Sequence, residues 1–552
     1  MLTAAFMDLL DTTIVNVAIP SIRSGLDAGY ASLQWIVAGY LLAVAVGLIT
    51  FGRLGDSYGR RRLFLIGVVG FGLSSLGCGL APTPAVLIVS RLLQGTFAAM
   101  MIPQILSTIH VSFAPAEKPR ALALYSTIAG LAVMSGPLVG GVLLSELNLS
   151  WRFIFLINVP VSIAVAVGAR AIVPESKSDE AKRPDFAGAA LISGALFALV
   201  FSLIQGRDAG WPVWIFALIA LSVALVAVFV WYERRKERRG ESPLITMRLF
   251  HRRAVSVGLL VVLVLYSGIV GFWLSLAIYL QIGLGYTPIQ AALTTVPSSI
   301  GLIMAAGIST KRAPRPGRVL LACGAVIMAV AMAGLIVVFT HYGGMVSAWQ
   351  LRPLIFVLGL GMGLTIPPLA DAIIAQTPER VAGAASGLIN SGLQVGNAVG
   401  VAVIGVILFG VLSTHAPTSA RSEAAKLSAQ LAAQGVPAAQ RQQVTAEFRT
   451  CFVDASRQKD PAAVPASCRK SKAEQTDPAL SKAATVALEK ARKDNFSVAI
   501  ARAVGYSFAA FLVAALLLLF LNPNAAEGRG TRNRYGYAAR HAAGRAPPVL
   551  AA

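Results

Sequence analysis

The residues best suited to chemistry in this chain are two acids and an arginine set inside apolar segments. MDLLDTTIVNVAIP, residues 7–20, carries Asp8 and Asp11, and VLIVSRLLQGTFAA, residues 86–99, carries Arg91 and Gln94. Asp8 and Asp11 are three positions apart and so share roughly one helix face. A charged side chain in apolar surroundings is tolerated where it meets a partner or a water-filled cavity. Burial favours the neutral acid, whereas Arg91 or a cationic ligand favours the anion, so a proton and a cation can compete for Asp11. A packing aspartate bonded to Thr12, Asn16 or a neighbouring helix is the alternative, as is an Arg91 that snorkels to the surface. Asp8, a turn closer to the N-terminal end of its helix, is expected at a solvated or lipid-headgroup level.

The elements that must position these residues are set by composition. Of 552 residues, 56% are hydrophobic and 13% charged, and the mean hydropathy is +0.71. Such a chain has too little polar surface for water and belongs in a bilayer. Apolar runs long enough to span it recur from end to end, and we count fourteen. They must be helices, because a lipid-exposed backbone satisfies its own hydrogen bonds and the runs lack the alternation of barrel strands.

Lys and Arg gather in alternate connections: Arg60, Arg61 and Arg62; Lys118 and Arg120; Lys177, Lys182 and Arg183; Arg234 to Arg253; Lys311, Arg312, Arg315 and Arg318; and Arg380. The opposite connections offer little beyond Arg23 and Arg207. This asymmetry puts both termini in the cytoplasm. The net charge of +22, with the tail from Arg529 to Arg545, is then topology and attraction to anionic membrane lipid rather than nucleic-acid binding. No Lys or Arg precedes the first run, so the positive region of a signal peptide is missing and the natural start is expected upstream of Met1.

Residues 413–496 form the one long connection on the outer side. Segments 419–434 and 481–493 read as amphipathic helices, the first stopped by Gly435 and Pro437. Cys451 and Cys468 both lie in this connection, which suggests a disulfide in an oxidising compartment, while Cys78 and Cys323 lie inside apolar runs as packing residues. No zinc-ligand spacing, P-loop or soluble domain of enzymatic size is present, so no metal, cofactor or catalytic site is expected.

GRLGDSYGRRR, residues 52–62, places Gly52, Asp56, Gly59, Arg60 and Arg61 between the second and third runs. Glycines there allow close helix approach and a tight turn, and Asp56 can accept from an arginine or a helix end. These residues resemble the loop signature of the major facilitator superfamily. Arg91, Gln94 and Gly95 resemble its fourth-helix motif, with Phe97 where glycine is usual. MSGPLVGG, residues 134–141, is similar to the fifth-helix motif of proton antiporters through Gly136, Pro137, Gly140 and Gly141. LDTTIVNVAIP (10–20), WRFIFLINVP (151–160), DFAGAAL (185–191, with Asp185, Gly188 and Leu191) and GLQVGNAVGVAVIG (392–405) resemble the fourteen-span drug/proton antiporters of the EmrB/QacA type.

The resemblance implies an all-α major facilitator fold. An N-terminal six-helix bundle (1–174) is followed by a two-helix linker with a basic loop (175–253), and the second bundle comprises 254–412 and 497–521, interrupted by the loop 413–496 and followed by a basic tail (522–552). It implies export of hydrophobic, cationic or amphipathic drugs by alternating access, driven by the proton gradient, from a monomer. Asp11, Arg91 and Gln94 would handle proton and substrate, and Gly52, Asp56, Gly59, Arg60 and Arg61 would form a conformational latch, with Asp371 and Glu379 as partners on the second bundle. Gly136 and Pro137 would give a kinked fifth helix facing the other bundle. The loop 309–318 has no acid matching Asp56, which makes the latch asymmetric. A dedicated exporter of one endogenous metabolite shares every motif; a proton/solute symporter fits the fifth-helix motif less well, a membrane enzyme would need convergent titratable groups at an aqueous edge, and a membrane receptor or scaffold would not call for Asp11 and Arg91.

Overall fold

A computed structural model describes residues 1–113, 117–177, 185–241, 243–312, 318–374, 379–457, 465–468 and 478–520. Lys182, Arg183, Arg315 and the tail from Arg529 to Arg545 lie outside the described residues, as do the side chains of Lys118, Arg120, Arg207, Lys311, Arg312, Asp371, Glu379 and Arg380. Within them the chain is helical: α1 Leu2–Leu26, α2 Tyr30–Tyr58, α3 Arg60–Gly79, α4 Pro84–Ser112, α5 Lys118–Gly141, α6 Phe153–Leu156, α7 Asn158–Ile172, α8 Phe186–Ala209, α9 Val213–Arg238, α10 Arg253–Ile278, α11 Pro288–Arg312, α12 Arg318–Tyr342, α13 Ala348–Ile374, α14 Glu379–Ala433, α15 Ala438–Arg457 and α16 Pro478–Leu519.

Thirteen of the described helical stretches are long and apolar enough to cross a membrane. The fifth position in the expected order is filled by α5, whose apolar described stretch, Gly130–Glu146, is shorter. Large apolar side chains remain exposed around the periphery, among them Val213, Val223, Val226 and Trp231 on α9 and Val326, Val330 and Val337 on α12. Lipid is the medium that suits such a surface.

Helices α1 to α7 pack together, as do α10 to α14 with α16, and the hairpin α8–α9 lies against α2 and α14. One end of the bundle is basic. Arg60, Arg61 and Arg62 lie there, and so do Arg253, over the Phe520 ring, and Arg318, whose Nη1 donates to Leu519 O at 3.5 Å. At the opposite end the halves meet along two seams. Tyr30 of α2 packs at a tilt of 31° on Phe409 of α14 with ring centroids 4.0 Å apart, and the Ile289 amide of α11 donates to Ser145 Oγ beyond α5 at 3.1 Å.

The connection expected at 413–496 is not a separate loop at its edges. Helix α14 continues unbroken for 55 residues and α16 for 42, so both carry on beyond the span lengths read from hydropathy. The reason is visible in their packing. Ala424, Leu427 and Leu431 of α14, Val444, Phe448 and Phe452 of α15, and Leu480, Ala483 and Ala487 of α16 build a second apolar core. That core keeps the helices wound where lipid no longer does. Gly435, at φ 79°, ends the first of them. Cys451 and Cys468 are disulfide-bonded, whereas Cys78 is a buried free thiol and Cys323 an exposed one.

Candidate functional site

The first polar cluster lies inside the amino-terminal bundle, where α1, α2, α3, α4 and α7 converge. Close approach of α2 and α4 depends on Gly95, since a Cβ there would overlap Tyr40 O. That approach lays the Tyr40 ring against Arg91, 4.2 Å from its Cζ. Phe97, which replaces a glycine in the fourth-helix motif, fits because Gly70 of α3 leaves room for its ring.

Asp11 is fully buried and Arg91 is 1% exposed. Arg91 Nη1 donates to Asp11 Oδ2 at 2.5 Å and to Gln94 Oε1 at 2.7 Å, and its Nε donates to Ile36 O at 3.0 Å. Asp11 Oδ1 accepts from Asn158 Nδ2 at 2.8 Å and Gln94 Nε2 at 3.1 Å. Ser75 Oγ accepts from Gln94 at 2.7 Å and from Asn158 at 3.3 Å. Every strong donor aimed at Asp11 is thus paired, which is the condition under which a buried ion pair is stable. The structure brings together Asp11, Arg91 and Gln94 as expected from their motifs, and neither the snorkelling arginine nor a bond from Asp11 to Thr12 or Asn16 is found among the described residues. Thr12 instead donates to Asp8 O at 2.9 Å.

Asp8 corrects an expectation. It is 6% exposed rather than solvated, and the Tyr40 hydroxyl donates to its Oδ1. The helix begins at Leu2, so Asp8 is two turns inside α1, against α2 and α5, instead of at its mouth. Tyr40, Ser75 and Asn158 were not singled out as site residues from the sequence. Asn158 does lie within WRFIFLINVP; Tyr40 and Ser75 carry no local signal because their partners are remote in sequence.

At the basic end, Asp56 accepts from Arg60 Nη2 at 2.7 Å and Nε at 3.0 Å. Gly59, at φ 117°, makes the turn between α2 and α3, in a region that side chains rarely adopt. Arg61 and Arg62 turn to an acid the sequence reading missed. Glu175, past the end of α7, accepts from the Arg61 amide at 3.1 Å and the Arg62 amide at 3.2 Å. It therefore caps the positive end of α3 while its charge faces the Arg61 and Arg62 guanidinium groups. Gly55 lets Gln104 of α4 approach, and Gly52 makes only an ordinary contact with Pro103.

The fifth helix packs against α11 of the other half as well as α1, but most of its motif glycines do not face that other half. A Cβ on Gly136 would overlap Thr13 Oγ1, and one on Gly140 would lie 2.9 Å from Ile14 Cγ1, so both glycines face α1 of the same bundle. Only Gly141 faces the other half, 3.0 Å from a virtual Cβ to Ile289 Cα. Pro137 stands within the helix, and beyond Gly141 the helix gives way to a π turn over Val142–Glu146.

In the linker, Asp185 caps α8 through the Gly188 amide at 2.9 Å and pairs with Lys236 of α9 at 2.8 Å. Burial opposes ionisation of Asp185, but Lys236, the Gly188 amide and the Tyr232 hydroxyl outweigh it and hold the carboxyl below its usual range. Glu233 Oε1 occupies the space that Gly188 leaves, and Leu191 packs with Phe229, Leu244 and Met247. Arg53 Nη2 donates to Leu244 O at 2.9 Å, tying α2 to the segment after α9.

The helical fold has counterparts among known proteins. The chain is 14% identical to a POT family peptide transporter of known structure over 85% of this chain and 98% of that one, with a TM-score of 0.57. With a D-xylose-proton symporter the TM-score is 0.50 at 15% identity, over 74% and 89% of the two chains. At that identity the likeness concerns the fold alone. In sequence the chain is 39% identical over 96% of its length to the "Probable actinorhodin transporter" of Streptomyces coelicolor, covering 92% of it. It is 34% identical over 73% of its length to a tetracenomycin C resistance and export protein of Streptomyces glaucescens, covering 73% of it, and 36% identical over 73% to a cephamycin export protein of Amycolatopsis lactamdurans, covering 82% of it. The family description "Major Facilitator Superfamily" matches residues 1–190 and 185–401, and with the helical order and the paired bundles it follows that the chain belongs to the major facilitator superfamily.

Proposed function

We propose that this protein exports hydrophobic, cationic or amphipathic small molecules of the antibiotic and drug class across the cytoplasmic membrane in exchange for protons. The observation that carries the reading is the sealed ion pair Asp11–Arg91 in the core of the first bundle, joined to three relatives named for antibiotic transport or export. A buried charged pair in a bilayer is costly and marks a site that handles charge. The basic end is the cytoplasmic one, both termini lie there, and the proton gradient takes the place of a cofactor. The chain acts as a monomer, with membrane lipid and a drug-like substrate as its partners and no nucleic acid.

Alternating access follows from two bundles rocking about their common seam. The packed contacts Tyr30–Phe409 and Ser145–Ile289 at the end opposite the arginines support the inward-facing state for this conformation. Asp56 and its arginines would then engage the second bundle when the basic end closes.

A dedicated exporter of one natural product is the second reading. It is favoured by one observation: the match to the "Probable actinorhodin transporter" covers 96% of this chain, against 73% for the two antibiotic export proteins. Everted vesicles with an imposed pH gradient test both. Uptake of ethidium and of actinorhodin that rises with the gradient supports coupled export, uptake of actinorhodin alone supports the dedicated exporter, and uptake of either that ignores the gradient removes the proton coupling.

A further inference from the structure

Two carboxylates lie a helical turn apart in α1, and their surroundings are unequal. Asp11 has a guanidinium at 2.5 Å and two amide donors, from Asn158 at 2.8 Å and Gln94 at 3.1 Å. It is fully buried, and each of its oxygens is engaged. The carboxylate and Arg91 thus satisfy each other, and removing either charge would leave the other unpaired in the membrane interior. Among the described residues Asp8 has one donor, the Tyr40 hydroxyl on Oδ1, and no cation bonded to it. It keeps a small exposure, 6%, where Asp11 keeps none. A carboxyl with one neutral donor and no bonded cation among the described residues can exist in the bilayer interior as the neutral acid, and can lose that proton when alternating access admits water.

The groups around Asp8 are few. Among the described residues they are Tyr40 of α2, Asp11 of its own helix, Arg91 of α4 and Tyr125 of α5. Arg91 is near, but its Nη1 and Nε donate to Asp11, Gln94 and Ile36 O and not to Asp8. Tyr40 links the two acids physically. Its hydroxyl holds Asp8 while its ring lies 4.2 Å from Arg91 Cζ, and Arg91 in turn holds Asp11.

We propose that Asp8 is the residue that takes up and releases the transported proton, and that Asp11, locked to Arg91, is the fixed anion that organises the bundle core around it. The inference rests on the coupled-export reading above and moves its proton from Asp11 to Asp8. The step is a simple protonation: the proton from the outer medium joins a carboxylate oxygen of Asp8, and leaves from the same oxygen to water on the cytoplasmic side. Tyr40 keeps its own proton and serves as a positioning residue. When Asp8 is ionised, the negative charge beside Tyr40 and Arg91 favours a cationic substrate nearby, and when it is neutral that attraction is gone. Proton and cation then exclude each other through Asp8.

Infrared difference spectra of the reconstituted protein, taken between pH values at which exposed carboxylates stay ionised, read the protonated-carboxyl band without any substrate. The band is expected in the natural protein, absent in Asp8→Asn, retained in Asp11→Asn, and shifted in its midpoint by Tyr40→Phe. In everted vesicles, where a gradient of about one pH unit sustains about a tenfold accumulation for one-to-one exchange, Asp8→Asn is expected to lose ethidium accumulation and Asp8→Glu to recover it. A band that persists in Asp8→Asn, or that disappears in Asp11→Asn alone, overturns the assignment. Vesicles of the natural protein that ignore the gradient while the band still belongs to Asp8 overturn the coupled-export reading and with it the transport role of Asp8, so the two failures are told apart.

Discussion

Arg91 Nη1 stands 2.5 Å from Asp11 Oδ2, in an ion pair between α4 and α1 whose two side chains are 2% and 0% exposed. Removing one partner leaves the other charge buried without compensation, at a cost of about 3–5 kcal/mol. Arg91→Ala is therefore expected to lower the melting temperature of the solubilised protein sharply and to abolish efflux. Arg91→Lys is expected to fall between, because an ammonium lacks the planar fork that reaches Asp11, Gln94 and Ile36 O together. Thermal unfolding followed by tryptophan fluorescence checks the order natural protein, lysine, alanine.

Gly136 is a steric requirement between α5 and α1. A Cβ there would overlap Thr13 Oγ1 and come within 2.9 Å of Thr13 Cβ, so Gly136→Ala is expected to destabilise by about 1–3 kcal/mol. Thr13→Ala removes the hydroxyl but keeps its Cβ at 2.9 Å, and the Ile14 amide stays at 3.2 Å, so the double variant Gly136→Ala, Thr13→Ala is expected to recover only part of that loss. A double-mutant cycle on thermal stability measures the coupling.

Asp56 is half-open to solvent, 38% exposed, and its pair with Arg60 reaches across the Gly59 turn from α2 to α3. In the conformation described here Asp56→Asn should cost only about 0.2–1 kcal/mol. If the latch role proposed above holds, ethidium efflux nonetheless falls steeply, since the lost charge matters in the alternative state. Stability near the natural value together with reduced efflux is the expected outcome; unchanged efflux would leave Asp56 a local pair for Arg60.

The seam between α2 and α14 closes on a glycine. A Cβ on Gly405 would overlap the Gln34 side chain, so Gly405→Val is expected to hold the halves apart at the end opposite the arginines. Spin labels on that end of α2 and α14 should report a longer mean distance in the variant, and thiol cross-linking across the seam should slow.

Cys451 and Cys468 are bonded across a separation of 17 residues, a loop for which closure is worth about 3 kcal/mol. Reduction is expected to loosen the α14–α15–α16 protrusion. On intact cells a membrane-impermeant maleimide should label these two residues only after reduction, while buried Cys78 stays silent. Labelling that does not change on reduction would count against both the pairing and the outer location.

Much of the architecture is legible along the chain because hydropathy and charge act locally. A run of apolar residues is a spanning helix whatever its neighbours are, and clustered Arg and Lys mark the end of the bundle they occupy. Gly59 could be flagged as a tight turn and the cysteine pair as a bond by residue type and position, and Gly95 and Gly136 through the motifs they resemble. Which surfaces those glycines admit was decided only by tertiary packing: Gly136 and Gly140 receive α1 of their own bundle instead of the opposite half. The same holds for the acids. Asp8 is covered by Tyr40, 32 positions away; Asp11 accepts from Asn158, 147 positions away; and Glu175 caps α3 from beyond α7. A carboxylate's state depends on the donors within a few ångströms, and in a bundle those donors come from helices that no local pattern brings together.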